Sequence, residues 1–487
     1  MNEEIYQLKP ERLWHYFGEI LKIPRPSKKE EKIARYILDF GQEHGLETLQ
    51  DETGNILIRK PATSGNEKMK TVILQSHIDM VCEKNEDTEH DFDKDPIEAY
   101  IDNGWVTARG TTLGADDGIG IATQLAILES VDIQHGPIEC LFTIDEETGL
   151  TGAFGLKPGF LKGEILLNLD SEDDGQLFIG CAGGRDTVIE MACRKVPPPK
   201  NHASFRIKVS GLKGGHSGDD INKGRGNANK ILNRILWDAT ENLEMELAVF
   251  DGGNLRNAIA REAAAVVTVP ESKRNELQAL VKKYEEDIRR ELHVTEPGLA
   301  IQTKKVTQPG HVFDAESRDR LIRAVYACPH GVIAMSQEIP DFVETSTNLA
   351  SVKTGNGTVS ITTSQRSSVE SAKEDVCNMV SSVFRLTGAN IKQSDGYPGW
   401  APDPGSEIVA LTENVYKELF NEDPEVLAVH AGLECGLIGD KYPDMDMISY
   451  GPEIKGAHSP DEKIEIRSVD KFWDLTLEVL KRIPRKD

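Results

Sequence analysis

The chain has 487 residues, which is too long for one ordinary hydrophobic core, so we expect two or more domains. Its 81 acidic and 56 basic residues give a formal net charge of −25, and 38% of the residues are hydrophobic. Because nucleic acids and anionic membrane surfaces are polyanions, this charge argues against both as partners.

Cysteine content and the N-terminal sequence indicate a reducing compartment. Seven cysteines without a CxxC pair predict free thiols, so a metal site would use imidazole and carboxylate groups. No apolar run approaches the roughly 20 residues needed to span a bilayer. The segment Met1-Asn2-Glu3-Glu4 lacks the basic and apolar regions of a signal peptide. We therefore expect a cytoplasmic protein.

The first part of the chain alternates helical and extended patterns. Residues 11–49 have the apolar spacing of helices, and Ile23-Pro24-Arg25-Pro26-Ser27 interrupts them. Ser27 is expected to cap the second helix. Residues 54–59 predict a turn and a strand, and 119–128 predict a helix. This alternation predicts an α/β fold: a mixed, mostly parallel sheet with helices on both faces.

The middle of the chain has a different pattern. Val196-Pro197-Pro198-Pro199-Lys200 is a stiff segment typical of a domain junction. Alternating runs after it predict half-buried antiparallel strands, each followed by a helix. The strands are predicted at 205–209, 264–269 and 359–364, and the helices at 228–237, 276–291 and 373–386. We predict a discontinuous catalytic domain (1–186 and 390–487), interrupted by an inserted α+β lid domain (187–389).

Acidic and histidine side chains follow several of the predicted strands. His77 and Asp79 come directly after an apolar run, Glu146 and Glu147 follow a second run, and Asp170 follows a third. In an open α/β sheet, sites form beyond the carboxyl ends of the strands, so we expect these groups to converge. The adjacent glutamates point in different directions, which lets one bind a metal and the other accept a proton from water.

Two further candidates lie in loops. Asp116 opens a helix after a glycine-rich segment, and His458 follows Gly456-Ala457 near the end of the chain. Each candidate alone is also explained as a helix cap or a solvated turn. Together, two histidines and three carboxylates are the ligand inventory of a dinuclear zinc site with one bridging carboxylate.

Five segments resemble, in the same order, the sequence blocks of the di-zinc metallopeptidase family that includes carnosinases, tripeptidases and aminoacylases. Within this family, the length and the large insert resemble the bacterial Xaa-His dipeptidases in particular. The segments are His77-Ile78-Asp79, Gly114-Ala115-Asp116-Asp117-Gly118, Asp145-Glu146-Glu147-Thr148-Gly149, Asn168-Leu169-Asp170 and Gly456-Ala457-His458-Ser459.

The resemblance implies a zinc-peptidase-like catalytic domain that holds two Zn²⁺ ions per chain. Mn²⁺ and Co²⁺ remain alternatives, because sites built from oxygen and nitrogen accept several divalent ions. The implied metal ligands are His77, Asp116, Glu147, Asp170 and His458.

The resemblance also implies a separate role for each of these residues. Asp116 would bridge the ions, with a cis peptide bond to Asp117. Asp79 would orient His77, and Glu146 would be the general base for a water activated between the two ions.

Substrate-binding residues are implied in the same way. His216 matches a lid motif whose histidine reaches the active site, often from the partner subunit, which implies a homodimer. Asn257 and Arg366 match positions that hold the substrate's terminal carboxylate, a task suited to the planar fork of arginine. Gly432 is expected to line the substrate site, and Glu434 is a candidate to contact the substrate amine.

The expected function is metal-dependent hydrolysis of dipeptides with a free amino terminus, Xaa-His and β-alanyl-histidine (carnosine-like) among them. The expected partner is a small peptide, without nucleic acid or membrane. One alternative is an N-acyl-amino-acid deacylase on the same scaffold, which would reject free amines. Another is a non-catalytic binding protein with a degenerate metal site, which would bind less than one zinc per chain.

Overall fold

The computed structural model describes residues 3–403 and 405–486. Two short 3₁₀ helices lie at Glu3–Gln7 and Glu271–Lys273. The α-helices are Glu11–Ile20 (α1), Glu31–Glu43 (α2), Ala115–Glu129 (α3), Glu146–Gly149 (α4), Thr151–Gly155 (α5), Ala228–Leu243 (α6), Arg274–Glu291 (α7), Ala315–Ala327 (α8), Glu370–Arg385 (α9), Glu407–Phe420 (α10), Glu434–Lys441 (α11) and Ile466–Arg482 (α12).

The strands are Glu47–Gln50 (β1), Ile56–Lys60 (β2), Val72–His77 (β3), Ala99–Asp102 (β4), Trp105–Ala108 (β5), Ile138–Thr143 (β6), Ile165–Asn168 (β7), Gln176–Cys181 (β8), Gly183–Ala192 (β9), Lys195–Val196 (β10), His202–Ser210 (β11), Gly215–His216 (β12), Glu246–Gly252 (β13), Ala258–Ile259 (β14), Ala263–Pro270 (β15), Ala300–Lys305 (β16), Val312–Phe313 (β17), Gly331–Met335 (β18), Val343–Thr354 (β19), Thr358–Ser367 (β20), Asn390–Gln393 (β21), Glu425–Val429 (β22), Asp446–Ser449 (β23), Ile454–Lys455 (β24) and Lys463–Glu465 (β25).

The chain divides into two compact units. The first takes in the chain up to Gly180, Pro402–Ala428, and the chain from Leu433 onward. The second consists of Cys181–Ala401 and Val429–Gly432. The Pro-rich segment at 196–200 lies within the second unit, where β10 pairs with β17.

An eight-stranded sheet forms the centre of the first unit, in the order β1-β2-β6-β3-β7-β23-β8-β22. Strands β6, β3, β7 and β23 run parallel, while β1, β2 and β8 pair antiparallel on either side. All six residues of β3 are buried, as in strands covered on both faces. The α/β class predicted from the sequence is confirmed. The parallel centre matters for function because it brings several carboxyl ends to one edge.

Ser27 does not cap the second helix, and that prediction is wrong. The helix α2 begins at Glu31, and its N-cap residue Glu30 makes no side-chain capping bond. The hydroxyl of Ser27 instead donates to Asp79 Oδ2 at 2.7 Å. The Ser27 hydroxyl therefore bonds to a carboxylate that is distant in sequence and does not cap the N-terminus of α2.

The second unit is built on a nine-stranded sheet in which β16, β11, β15, β13, β19, β20, β9 and β21 follow one another and β18 pairs with β19. The observed pairings within this sheet are antiparallel. Alternating residues of β11, such as Phe205, Ile207 and Val209, are buried in a core shared with α6. This alternation is the pattern that predicted half-buried strands. Among the described residues, no helix is long and apolar enough to cross a membrane.

Candidate metal centre and active site

The carboxyl ends of the parallel strands carry the candidate ligands of the first unit. Strand β3 ends at His77, β6 ends three residues before Glu146, and β7 ends two residues before Asp170. Because β6, β3 and β7 are neighbours that run in the same direction, these side chains leave the sheet at one edge.

A first cluster forms around His77. Its Nε2 lies 3.0 Å from Asp116 Oδ1 and 3.3 Å from Asp170 Oδ1. Ligand atoms of these three residues all lie within 4.8 Å of one another. One imidazole nitrogen and two carboxylate oxygens thus face a common point, an arrangement suited to a divalent cation.

A second cluster forms around His458 and shares one carboxylate with the first. The Nε2 of His458 lies 3.1 Å from Asp116 Oδ2 and 3.0 Å from Glu147 Oε2. Asp116 therefore presents one oxygen to each histidine. Its peptide bond to Asp117 is cis, as the resemblance implied.

Unpaired atoms and electrostatics in this cluster fit a bound cation. Glu147 Oε1 is buried without a hydrogen-bond partner among the described residues. Burial raises the pKa of Asp170 to about 8, and hydrogen bonds to Asp116 and Glu147 raise the pKa of His458 to about 11. The carboxylates that raise the pKa of His458 supply the negative charge that a divalent ion requires, and imidazole with carboxylate is a donor set that zinc accepts.

Asp79 lies behind His77 and ties it to the segment that carries the glutamates. Its Oδ1 is 3.4 Å from His77 Nδ1, and its two oxygens accept the backbone N–H groups of Glu146 and Glu147 at 3.0 and 3.2 Å. Burial opposes the negative charge, but hydrogen bonding to His77 and the other donors lowers the pKa of Asp79 to about 2. A carboxylate in this position fixes the ring orientation of a metal-binding histidine.

Glu146 is the first residue of the short helix α4, directly after β6 and its connecting turn. A carboxylate oxygen of Glu146 lies within 4.8 Å of ligand atoms of both His77 and Glu147. Burial raises the pKa of Glu146 well above its usual value, with nearby carboxylates such as Asp170 adding to the rise. A carboxylate with a raised pKa beside a cation site is suited to take up and release a proton.

In the second unit, His216 and Arg366 lie in one polar cluster. His216 Nδ1 is 2.9 Å from Asp219 Oδ2, and its Nε2 is 3.4 Å from Arg366 Nη2. Arg366 also donates to Ser217 Oγ at 3.3 Å and to Tyr397 Oη at 3.0 Å. The sequence analysis did not identify Asp219, although it lies three residues after His216, or Tyr397, because neither residue matches a position of a recognised block.

The other predicted substrate residues of this unit lie near the same loops. The backbone oxygen of Asn257 accepts the N–H of Ser217 at 2.8 Å, and Asn257 and His216 both line a cavity of about 1210 Å³. A Cβ on Gly432 would lie 2.8 Å from the ring of Tyr397, so no larger residue fits there without movement.

Glu434 belongs to the first unit and is completely buried. Its Oε2 accepts hydrogen bonds from Gln75 Nε2 and Thr143 Oγ1, both at 2.6 Å, while Oε1 has no partner among the described residues. Burial raises its pKa to about 7. Glu434 therefore links β3 to β6 just before the strands reach the metal cluster.

Comparison with known proteins places this geometry in context. The model of peptidase family M20/M25/M40 matches residues 73–482. The cytosol non-specific dipeptidase of Escherichia coli (strain K12) is 47% identical over 483 residues, which cover 99% of this chain and 100% of that protein.

Solved structures agree with this match. The crystal structure of aminoacylhistidine dipeptidase from Vibrio alginolyticus superposes with a TM-score of 0.94, at 47% identity and with 100% of both chains covered. A tripeptidase from Staphylococcus aureus shares 16% identity and a TM-score of 0.57, with 98% of this chain and 99% of that chain covered. The second likeness shows a shared fold only.

Proposed function

The chain belongs to peptidase family M20/M25/M40, and from this premise we propose that it hydrolyses dipeptides with a free amino terminus in a metal-dependent reaction. The observation that carries the proposal is the position of Asp116, which presents one carboxylate oxygen to each of two histidines. Two such half-sites around one bridging carboxylate suit a pair of divalent cations.

We assign the ions as zinc, two per chain, because zinc accepts imidazole nitrogens and carboxylate oxygens, with Mn²⁺ and Co²⁺ as alternatives for the same donors. His77 and Asp170 would hold one ion, Glu147 and His458 the other, and Asp116 both. When bound, the ions would make water more acidic and stabilise negative charge on the oxygens of the scissile amide.

Proton movement is the task of Glu146. Its carboxylate would take a proton from the attacking water and then give that proton to the nitrogen of the leaving group. The raised pKa of Glu146 suits both steps, because a base with a very low pKa holds protons too weakly to relay them. Asp79 would keep the His77 ring in the orientation that points Nε2 towards Asp116 and Asp170.

Substrate recognition is assigned mainly to the second unit. Arg366 would bind the terminal carboxylate of a dipeptide, with Asn257 and Gly432 lining the site, and His216 would donate to the developing oxyanion. The name of the Vibrio relative, an aminoacylhistidine dipeptidase, supports Xaa-His peptides as substrates, and the sequence resemblance adds β-alanyl-histidine. We also propose that the second unit serves as a lid and dimer interface in a cytoplasmic homodimer.

Substrates that differ only at their ends test this proposal. Ala-His and β-alanyl-histidine should be hydrolysed, whereas N-acetyl-Ala-His should be turned over far more slowly because the site accepts a free amine. Ala-His amide should show a KM raised by about tenfold or more, since loss of a charge-assisted hydrogen-bond partner costs about 1.5–3 kcal/mol. Chromatography follows the release of histidine from Ala-His, β-alanyl-histidine and N-acetyl-Ala-His, and the release of histidinamide from Ala-His amide. Faster cleavage of an N-acyl amino acid than of Ala-His would favour a deacylase instead.

A further inference from the structure

A buried glutamate outside the proposed ligand set holds the loop that leads into Asp116. The side chain of Glu462 is 2% exposed. Its Oε2 accepts the backbone N–H groups of Leu113 and Gly114 at 2.7 and 2.9 Å. Its Oε1 accepts those of Ala115 at 2.7 Å and Asp116 at 3.4 Å. Four successive N–H groups therefore point at one carboxylate.

A buried arginine, Arg25, donates hydrogen bonds to carbonyl oxygens of the same loop and of the segment that follows His77. Arg25 Nη2 donates to the Gly114 oxygen at 2.5 Å, while Nη1 donates to the oxygens of Ile78 and Asp79 at 3.1 and 2.5 Å. Gly114 has φ +71°, and a Cβ there would lie 2.7 Å from the Arg25 guanidinium. A glycine is thus required both by the backbone conformation and by the close approach of Arg25.

The two charges connect three segments that carry proposed ligands. Glu462 lies four residues after His458, and its carboxylate binds the loop that ends at Asp116. Arg25 links that loop to the residues that follow His77. Burying an ion is costly unless hydrogen bonds replace its hydration, and here backbone groups of the ligand segments supply those bonds.

We propose that Glu462 is a positioning residue that fixes the Asp116 loop relative to the His458 segment for metal binding. Arg25 fixes the same loop relative to the segment that follows His77. The proposal rests on the metal centre assigned above. Without the Glu462 carboxylate, four N–H groups lose their acceptor and the loop can relax. Asp116 would then no longer present one oxygen to each histidine. Losing an outer partner of this kind weakens metal binding by about 10–100-fold.

Glu139 offers a matched control for a purely structural role. Its side chain is also 2% exposed and accepts backbone N–H groups, those of Lys162 at 2.7 Å and Gly163 at 2.9 Å. It lies near the start of β6, whereas the ligands follow the opposite ends of the strands. Loss of its charge should lower the free energy of unfolding without moving a proposed ligand.

The experiment compares E462Q and E139Q with the wild type after metal removal and refilling with Zn²⁺. Zinc affinity is measured by competition with a chromophoric chelator, and stability by urea unfolding of the metal-free proteins. Both variants should be less stable, but only E462Q should bind zinc at least about tenfold more weakly. Only E462Q should change the visible absorption bands of the Co²⁺-substituted enzyme. Zinc affinity within twofold of wild type in E462Q, or an equal loss in E139Q, would overturn the proposal.

Hydrogen exchange on the metal-free wild type keeps the proposal testable should E462Q not fold. The amides of 113–116 should already be protected, because the Glu462 carboxylate holds them before metal arrives. Exchange as fast as that of an exposed loop would contradict the proposal. A wild-type protein that binds no zinc would contradict the metal centre itself. Normal wild-type zinc binding with unprotected amides would contradict only the role of Glu462.

Discussion

Replacing Glu146 with alanine should leave the metal ions bound and reduce kcat by about 10²–10⁴-fold, the usual contribution of a general base. Glu146 is not among the five proposed ligands, so its removal takes away the proton acceptor without removing a bond to metal. Burial raises the pKa of its carboxyl, which suits a group that must first accept a proton and then release it to the leaving amine.

The measurement pairs steady-state kinetics on Ala-His with metal content by atomic emission. E146Q should behave like E146A, because an amide has the shape of the acid but cannot accept the proton. E52Q is the control: Glu52 is a highly exposed residue whose carboxylate pairs with Lys157, so this variant should keep wild-type kcat. An E146A enzyme that retains most of its turnover would refute the assignment.

Replacing Asp116 with alanine should have the second large effect, loss of both ions and with them all measurable turnover. Its two oxygens lie 3.0 Å from His77 Nε2 and 3.1 Å from His458 Nε2, so one substitution removes a donor from both half-sites. Substitution of Asp170 or His458 should instead weaken the binding of mainly one ion. Asp170 belongs only to the cluster around His77, and His458 belongs only to the cluster with Glu147.

Metal content per chain after dialysis against micromolar Zn²⁺ measures this difference. D446N is a suitable control, because Asp446 accepts hydrogen bonds from Ser406 and Ile408 at the start of β23, away from the strand ends that carry ligands. D446N should lose stability but keep its zinc. A D116A protein that still binds two ions per chain would show that Asp116 does not bridge the two ions.

Much of the first unit could be predicted because its signals are local. The apolar run 138–143 reads as a buried strand, and the acids just after it follow from the rule that sites form beyond strand ends. The fold class and the dipeptidase reading are confirmed, the latter through relatives that are 47% identical. The individual ligand assignments stay predictions, and the distances between the proposed ligands support them.

What could not be predicted depends on contacts between distant segments. Ser27 looks like a helix cap until Asp79, 52 residues away, takes its hydroxyl. Glu462 reads as one more acid in a loop, because no local pattern shows that four N–H groups about 346 residues earlier point at it. Arg25 sits in a Pro-rich break, where a buried guanidinium is not expected.

Glu434 shows the same limit in another way. Its block suggested a role near the substrate amine, yet the structure buries the carboxylate against Gln75 and Thr143. A burial pattern set by three separate segments cannot be read from any one of them. Contact with an amine stays a prediction for this residue.

Metal removal followed by metal restoration tests the central claim most directly. The protein is stripped with a chelator, assayed for release of histidine from Ala-His, then refilled with Zn²⁺ in stoichiometric steps and assayed again. We predict no hydrolysis after stripping and full recovery near two zinc ions per chain. Hydrolysis that survives complete metal removal would contradict the account.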